Sequence, residues 1–261
     1  MGAFAVPKTE TEDRWISPCE FLNSITPDSL VKKVEMPYLP MLGTLSVGKH
    51  QRLWVSKRGA RHYFHVLRVG KPWRRLLRAP ALVRHGRRVH ARARAWPMGY
   101  KASVSFAQSV AERSAAAAGL PASRRCYPGQ PTPLAPPVWG AIVDDLWVIG
   151  VSGQEESEAA AQWPHSMDKE WDRIGVEPHP TKKVDLAADA EVQGALVRAE
   201  QRDMALSPKK LRDLLAGMLW IATAHRPGLA AVERLVGRVG YAHMFRPALR
   251  ACLWGHLPVD P

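Results

Sequence analysis

Apolar positions recur with different periods along the chain, and the period predicts the elements. Leu53-Trp54-Val55 and Tyr63-Phe64-His65-Val66-Leu67-Arg68-Val69 carry the β-branched and aromatic mix of a strand running into a turn. Residues 104–118 have helical composition, stopped by Gly119 and Pro121. The proline-rich residues 121–137 read as a loop. Residues 138–150 place two short apolar arms around a pair of aspartates, the pattern of a hairpin. Residues 155–172 are helical again, interrupted at Pro164, and residues 192–197 read as a short strand. Ser207-Pro208 predicts a helix start, with a cap residue before a proline at the first helical position. Leu211, Leu214, Leu215, Met218, Leu219 and Ala222 then form one stripe, and beyond Pro227-Gly228 a second runs through Leu229, Val232, Leu235, Val236 and Val239. Such stripes predict core. Residues 1–30 are poorly patterned and loop-like, and no internal repeat is visible.

The 261 residues suffice for one large domain or two small ones with a real core. An apolar content of 46% with 23% charged residues excludes a wholly disordered chain. Cys19, Cys126 and Cys252 lie far apart with no CxxC, which excludes a disulfide framework or a zinc ribbon and favours a reducing compartment. No apolar run is long enough for a bilayer, and the N-terminus lacks the plan of a signal peptide. The expectation is an intracellular protein, cytoplasmic or nuclear, with no membrane partner.

Charge narrows this further. The formal net charge is +13, and it is unevenly placed. Residues 37–111 contain no Asp or Glu, while residues 49–101 supply 16 Lys and Arg. Arg74 and Arg75 follow Trp73, and Arg87 and Arg88 follow Gly86. A polyphosphate backbone suits such a stretch, because each neutralised phosphate releases counterions, and aromatics in a basic groove add base stacking. A solvated basic face is the competing reading.

The sharpest chemical feature is Ile142-Val143-Asp144-Asp145-Leu146-Trp147. Strand neighbours point to opposite faces, so two acids between apolar arms make sense at a turn that lets both reach one cation-rich site. Carboxylate oxygens of that kind suit Mg²⁺, and paired metals can stabilise both the attacking and the leaving oxygen of a phosphoryl transfer. An ordinary turn with aspartates remains the alternative. Cys126 beside Arg124, Arg125 and Tyr127 reads as an idle thiol or a somewhat activated one. The histidines, His62, His65, His85 and His90 among them, lack zinc spacing, and no nucleophile-elbow or phosphate-loop motif is present.

The Asp pair belongs to an ordered series. Trp96-Pro97-Met98-Gly99-Tyr100 leads to Ser105, Phe106 and Gln108; the Asp pair follows; then come Gly175-Val176-Glu177-Pro178-His179-Pro180-Thr181-Lys182-Lys183-Val184 and Val192-Gln193-Gly194-Ala195-Leu196. This series resembles the reverse transcriptases, particularly those of retrotransposons. Residues 97–108 look like the "P-x-G-…-S-x-F-x-Q" motif, residues 142–145 like "Y-x-D-D" with Ile142 replacing the aromatic, and residues 175–184 like "lG-…-P-x-K". Gln193-Gly194 stands where the primer grip would be, and residues 208–254 look like a thumb. The resemblance spans residues 35–254.

The resemblance implies an α+β fold: a palm of antiparallel sheet backed by helices, truncated fingers and an all-α thumb. Residues 1–34 would be an N-terminal or fingers remnant, with Lys32 and Lys33 possible relics of its basic strands. Residues 35–200 would form the palm with partial fingers, and residues 201–261 the thumb. It also implies RNA-directed DNA polymerisation, with Mg²⁺ (or Mn²⁺) at Asp144 and Asp145. Gly99, Gln108, Lys182 and Lys183 would lie at the deoxynucleoside triphosphate. Arg74, Arg75, Arg87, Arg88 and Gly194 would lie on the RNA or DNA primer–template, and a polyprotein could supply the remainder of the enzyme. One departure bears on activity. The family's "sK-x-D-x-r-x-x-F-h" strand, laid on Ser56, Lys57, Phe64 and His65, puts Gly59 where the third catalytic aspartate belongs. Loss of that metal ligand predicts a crippled polymerase, or a non-catalytic nucleic-acid-binding module or decayed fragment.

Overall fold

The computed structural model describes residues 4–7, 13–16, 19–31, 33–37, 39–224 and 226–244. The N-terminal segment is more regular than its pattern suggests. It holds an antiparallel pair, β1 (Phe4–Pro7) and β2 (Asp13–Ile16), and a short helix, α1 (Glu20–Ile25). Strand β3 (Leu53–Gly59) follows, then α2 (Tyr63–Val66), α3 (Lys71–Leu76), the ribbon β4 (Arg78–Arg84) and β5 (Arg87–Arg92), and α4 (Lys101–Ala117). The predicted hairpin is present as β6 (Val138–Ile142) and β7 (Asp145–Val151), and two helices succeed it, α5 (Glu155–Ala160) and α6 (Trp163–Ile174). Four short strands, β8 (Val184–Ala187), β9 (Asp189–Val192), β10 (Ala195–Arg198) and β11 (Asp203–Leu206), lead into α7 (Pro208–Thr223) and α8 (Leu229–His243).

The central sheet has the order β6-β7-β3-β8, and its pairings are all antiparallel. Side chains alternate across β7. Leu146 and Val148 join one buried cluster, together with Trp139 of β6, Ala107 and Ala111 of α4, and Met167 and Trp171 of α6. Trp147 and Ile149 join the other, with Val192, Ala195 and Val197 of the β9–β10–β11 sheet. The middle strands are thus covered on both faces, which is why they read as near-continuous apolar runs rather than alternating ones. Each large apolar side chain buried there stabilises the fold by roughly 1.5–3 kcal/mol relative to exposure.

Three local expectations change. Residues 63–69 do not continue a strand. His62 takes a left-handed conformation (φ +51°) and Tyr63 opens a helical turn, buried, with its hydroxyl donating to the Ala107 carbonyl at 3.3 Å. Residues 192–197 are not one continuous strand: Val192 ends β9, Gln193 and Gly194 make a tight turn at positive φ, and Ala195–Val197 lie in β10. The stripe on α7 does not form core among the described residues: Leu214 is buried, yet Leu211, Leu215, Met218 and Leu219 stay 44–67% exposed. Helices α7 and α8 pack on each other without a further described layer over that stripe, and Leu229 and Val236 of α8 are exposed too. Cys252 and the end of the expected thumb lie outside the described residues.

Candidate functional site

Gly59, the last residue of β3, lies directly across the ladder from Asp145, the first residue of β7. Ile142 and Asp145 close the β6–β7 hairpin, so Val143 and Asp144 form a two-residue turn. Val143 has φ +51°, an unfavourable conformation for a β-branched residue. Side chains from behind hold it there. The Val143 amide donates to Gln108 Oε1 at 2.7 Å, and Gln108 Nε2 donates to the Ala141 carbonyl at 2.9 Å and to Glu112 Oε1 at 3.1 Å. Gln108 is buried on α4, and the amide expected at a nucleotide is taken up wholly by the hairpin and Glu112.

A second segment closes the site from the other side. The Arg61 amide donates to the Glu177 carbonyl and the His179 amide to the Gly59 carbonyl, each at 2.7 Å. These bonds lay residues 177–179 along the end of β3, and a tight turn at Pro180–Lys182 then aims Lys182 back at the hairpin. Its Nζ donates to Asp145 Oδ1 at 2.9 Å and to Asp144 Oδ2 at 3.1 Å. A Cβ added at Gly59 would run into Lys182 Cδ and stand 2.9 Å from Asp145 Oδ1. The lysine stem occupies the space that glycine leaves. Burial disfavours the ammonium, but the hydrogen bond to Asp145 and the charges of both aspartates outweigh it and hold the Lys182 pKa above its ordinary value. Nearby, burial and then the Asp144 charge push the Tyr63 phenol up.

The other candidates separate. Lys183 turns from the pair, its Nζ 3.8 Å from Asp168. Gly99 (φ +113°) precedes α4, where its carbonyl accepts from Asn23 Nδ2 at 2.8 Å. Gly194, at the β9–β10 turn, is covered by the Lys210 side chain, and Lys210 Nζ sits 4.5 Å from the Tyr241 ring centroid. Arg75, Arg87 and Arg88 are exposed on α3 and the β4–β5 ribbon, while Arg74 donates from Nε to the Val69 carbonyl at 2.9 Å. Cys126 is fully buried, and burial pushes its thiol up to about 12, so the activated-thiol alternative does not apply.

Two features escape the sequence. Arg58, 3% exposed, donates from Nε to Asp168 at 2.7 Å, from Nη2 to Asp185 at 2.6 Å, and from Nη1 to the Lys57 and Val184 carbonyls. It ties β3, α6 and β8 together beside Gly59, and nothing local marks a strand arginine for that role. The second is an open groove of about 1010 Å³ whose lining includes Phe106, Val110 and Ile174 together with Arg68, Arg74 and Arg94. Phe106 also packs on Trp96 (4.9 Å between centroids), which stacks on Tyr100. No residue lining this groove is acidic.

Among the described residues no group of three or more His, Cys, Asp or Glu side chains is placed to hold a metal ion. No helix among them is long and apolar enough to cross a membrane.

No family model matches the chain, and no curated protein does. Solved structures do. The foamy viral protease-reverse transcriptase dRH in complex with double-stranded DNA is similar at a TM-score of 0.62 and 15% identity, over 99% of this chain and 39% of that one. The foamy viral protease-reverse transcriptase in complex with double-stranded DNA gives 0.62 and 16%, over 99% and 46%. Its complex with an RNA/DNA hybrid gives 0.59 and 13%, over 99% and 30%. This chain therefore spans less than half the length of each of these three proteins. Likeness at such identities is likeness of fold: helices and antiparallel sheet in a reverse-transcriptase-like arrangement.

Proposed function

We propose that this chain is the palm and thumb, with trimmed fingers, of a retroelement reverse transcriptase, a domain that binds a nucleic-acid duplex or template and is disabled for polymerisation. The observation that carries this reading is the pairing of Gly59 with Asp145 at the Asp144–Asp145 turn. The order of motifs puts an aspartate at that place in the family, where it would join the other two in holding divalent ions. Here the donor set does not fit a pair of Mg²⁺ or Mn²⁺ ions. Two carboxylates face one ammonium, and the third position has no side chain. Charge stabilisation by metal contributes several kcal/mol to such transition states, so the rate falls by orders of magnitude without it.

Binding does not share that defect. The exposed arginines of the β4–β5 ribbon and the groove lined by Phe106 with Arg68, Arg74 and Arg94 supply cationic and stacking surface from a stretch of sequence without acids. The neighbours' complexes with DNA and RNA/DNA hybrid support the same choice of ligand. Primer extension on an RNA template with Mg²⁺ or Mn²⁺, run beside template binding at several salt concentrations, tests both halves. The expected result is salt-sensitive binding with no extension. Extension by the unaltered protein would sink the disabled-polymerase reading, and absence of binding would favour a decayed fragment.

A further inference from the structure

The Asp144–Asp145 pair is provided with a cation by the chain itself. Three independent placements converge on this. Lys182 Nζ bridges one oxygen of each carboxylate, at 3.1 and 2.9 Å. Its methylene stem lies in the space over Gly59 that any larger residue would need. The segment carrying it is anchored by backbone bonds, the His179 amide to the Gly59 carbonyl and the Arg61 amide to the Glu177 carbonyl. A lysine on a loose loop would sample many rotamers; this one is half-buried and aimed by a docked turn.

We propose that Lys182 is the built-in counter-ion of Asp144 and Asp145, seated where a divalent cation would otherwise be held, so that the centre closes without metal. The inference rests on reading this centre as a former reverse-transcriptase site only in naming the cation displaced. An ammonium bonded to both carboxylates competes with a divalent ion for the same oxygens and repels it, so each weakens the hold of the other. The same geometry sets the order in which the site could be reopened. Gly59→Asp alone needs the space that the Lys182 stem fills, so the stem must shift, while the added carboxylate gives the ammonium a further partner that keeps it at the cluster. Lys182→Ala with Gly59→Asp leaves three carboxylates and no resident cation.

Manganese binding followed by electron paramagnetic resonance, on the full chain without nucleic acid, reads this directly. The unaltered protein and Gly59→Asp are expected to bind Mn²⁺ weakly. Lys182→Ala should gain roughly tenfold in affinity, the double variant should gain more, and Asp144→Asn with Asp145→Asn should abolish the gain. If Lys182→Ala proves unfolded by circular dichroism, Lys182→Gln takes its place. Mn²⁺ binding by the unaltered protein as tight as by Lys182→Ala, or a gain that survives loss of both aspartates, would overturn the proposal. Template binding and primer extension do not enter this readout, so their failure leaves it standing.

Discussion

Gln108 holds Val143 in a left-handed turn, accepting its amide proton at 2.7 Å while donating to the Ala141 carbonyl 33 residues away. The glutamine thereby supports the hairpin that presents Asp144 and Asp145. An unmet buried polar group costs about 1–3 kcal/mol. Gln108→Leu is therefore expected to destabilise the protein by about that amount, since it strands the Val143 amide and the Ala141 carbonyl. Urea denaturation measures this, and an unchanged midpoint would show that the turn stands without the glutamine.

Arg58 provides a second measurable dependence. Its guanidinium is buried, and Asp168 is only 17% exposed. Arg58→Met leaves that carboxylate without its guanidinium, and breaking a buried pair in this way costs about 3 kcal/mol. Asp185 is half exposed and contributes less. A matching Asp168→Asn substitution in the Arg58→Met background should recover part of the loss, read as a double-mutant cycle.

Arg84, Arg87 and Arg88 form the exposed tip of the β4–β5 ribbon. If that tip lies on phosphates, replacing the three by alanine lowers template affinity for all sequences alike. It also flattens the dependence of log K on log salt by about 0.9 for each duplex phosphate that is no longer neutralised. Fluorescence anisotropy across a salt series checks it. An unchanged slope would place the nucleic acid elsewhere.

Cys126 should resist Ellman's reagent in the native protein at neutral pH and react after unfolding, because burial raises its thiol to about 12 from 9.0. The same shift has a sign in stability. Below pH 9 both states keep the proton and nothing changes. As pH rises from 9 towards 12 the unfolded chain ionises and the folded one does not, so this group's contribution is lost progressively. Cys126→Ala should lessen that alkaline loss in a series of melting curves.

The sequence by itself determined the local framework. The hairpin around Asp144 and Asp145 is legible because its arms are apolar and its turn is not, and helix α4 because its composition and its stop at Gly119 are local. Counting along one segment from Ser56 to Phe64 places Gly59, and the strand there does run through Gly59. Partners across the fold were decided only by tertiary structure. Lys182 and Lys183 are neighbours with indistinguishable chemistry, yet one reaches the Asp pair and the other Asp168, because a single tight turn sends successive side chains in different directions. The motif resemblance marks Gln108 for a nucleotide, and only the packing of the hairpin shows its amide bonded to Val143, Ala141 and Glu112. The stripes on α7 and α8 have the period of core helices, but periodicity reports that a face is apolar and not whether anything covers it. Hydrophobic spacing is a property of a few turns of chain, whereas the counter-ion of a carboxylate 37 residues distant depends on how separate elements dock.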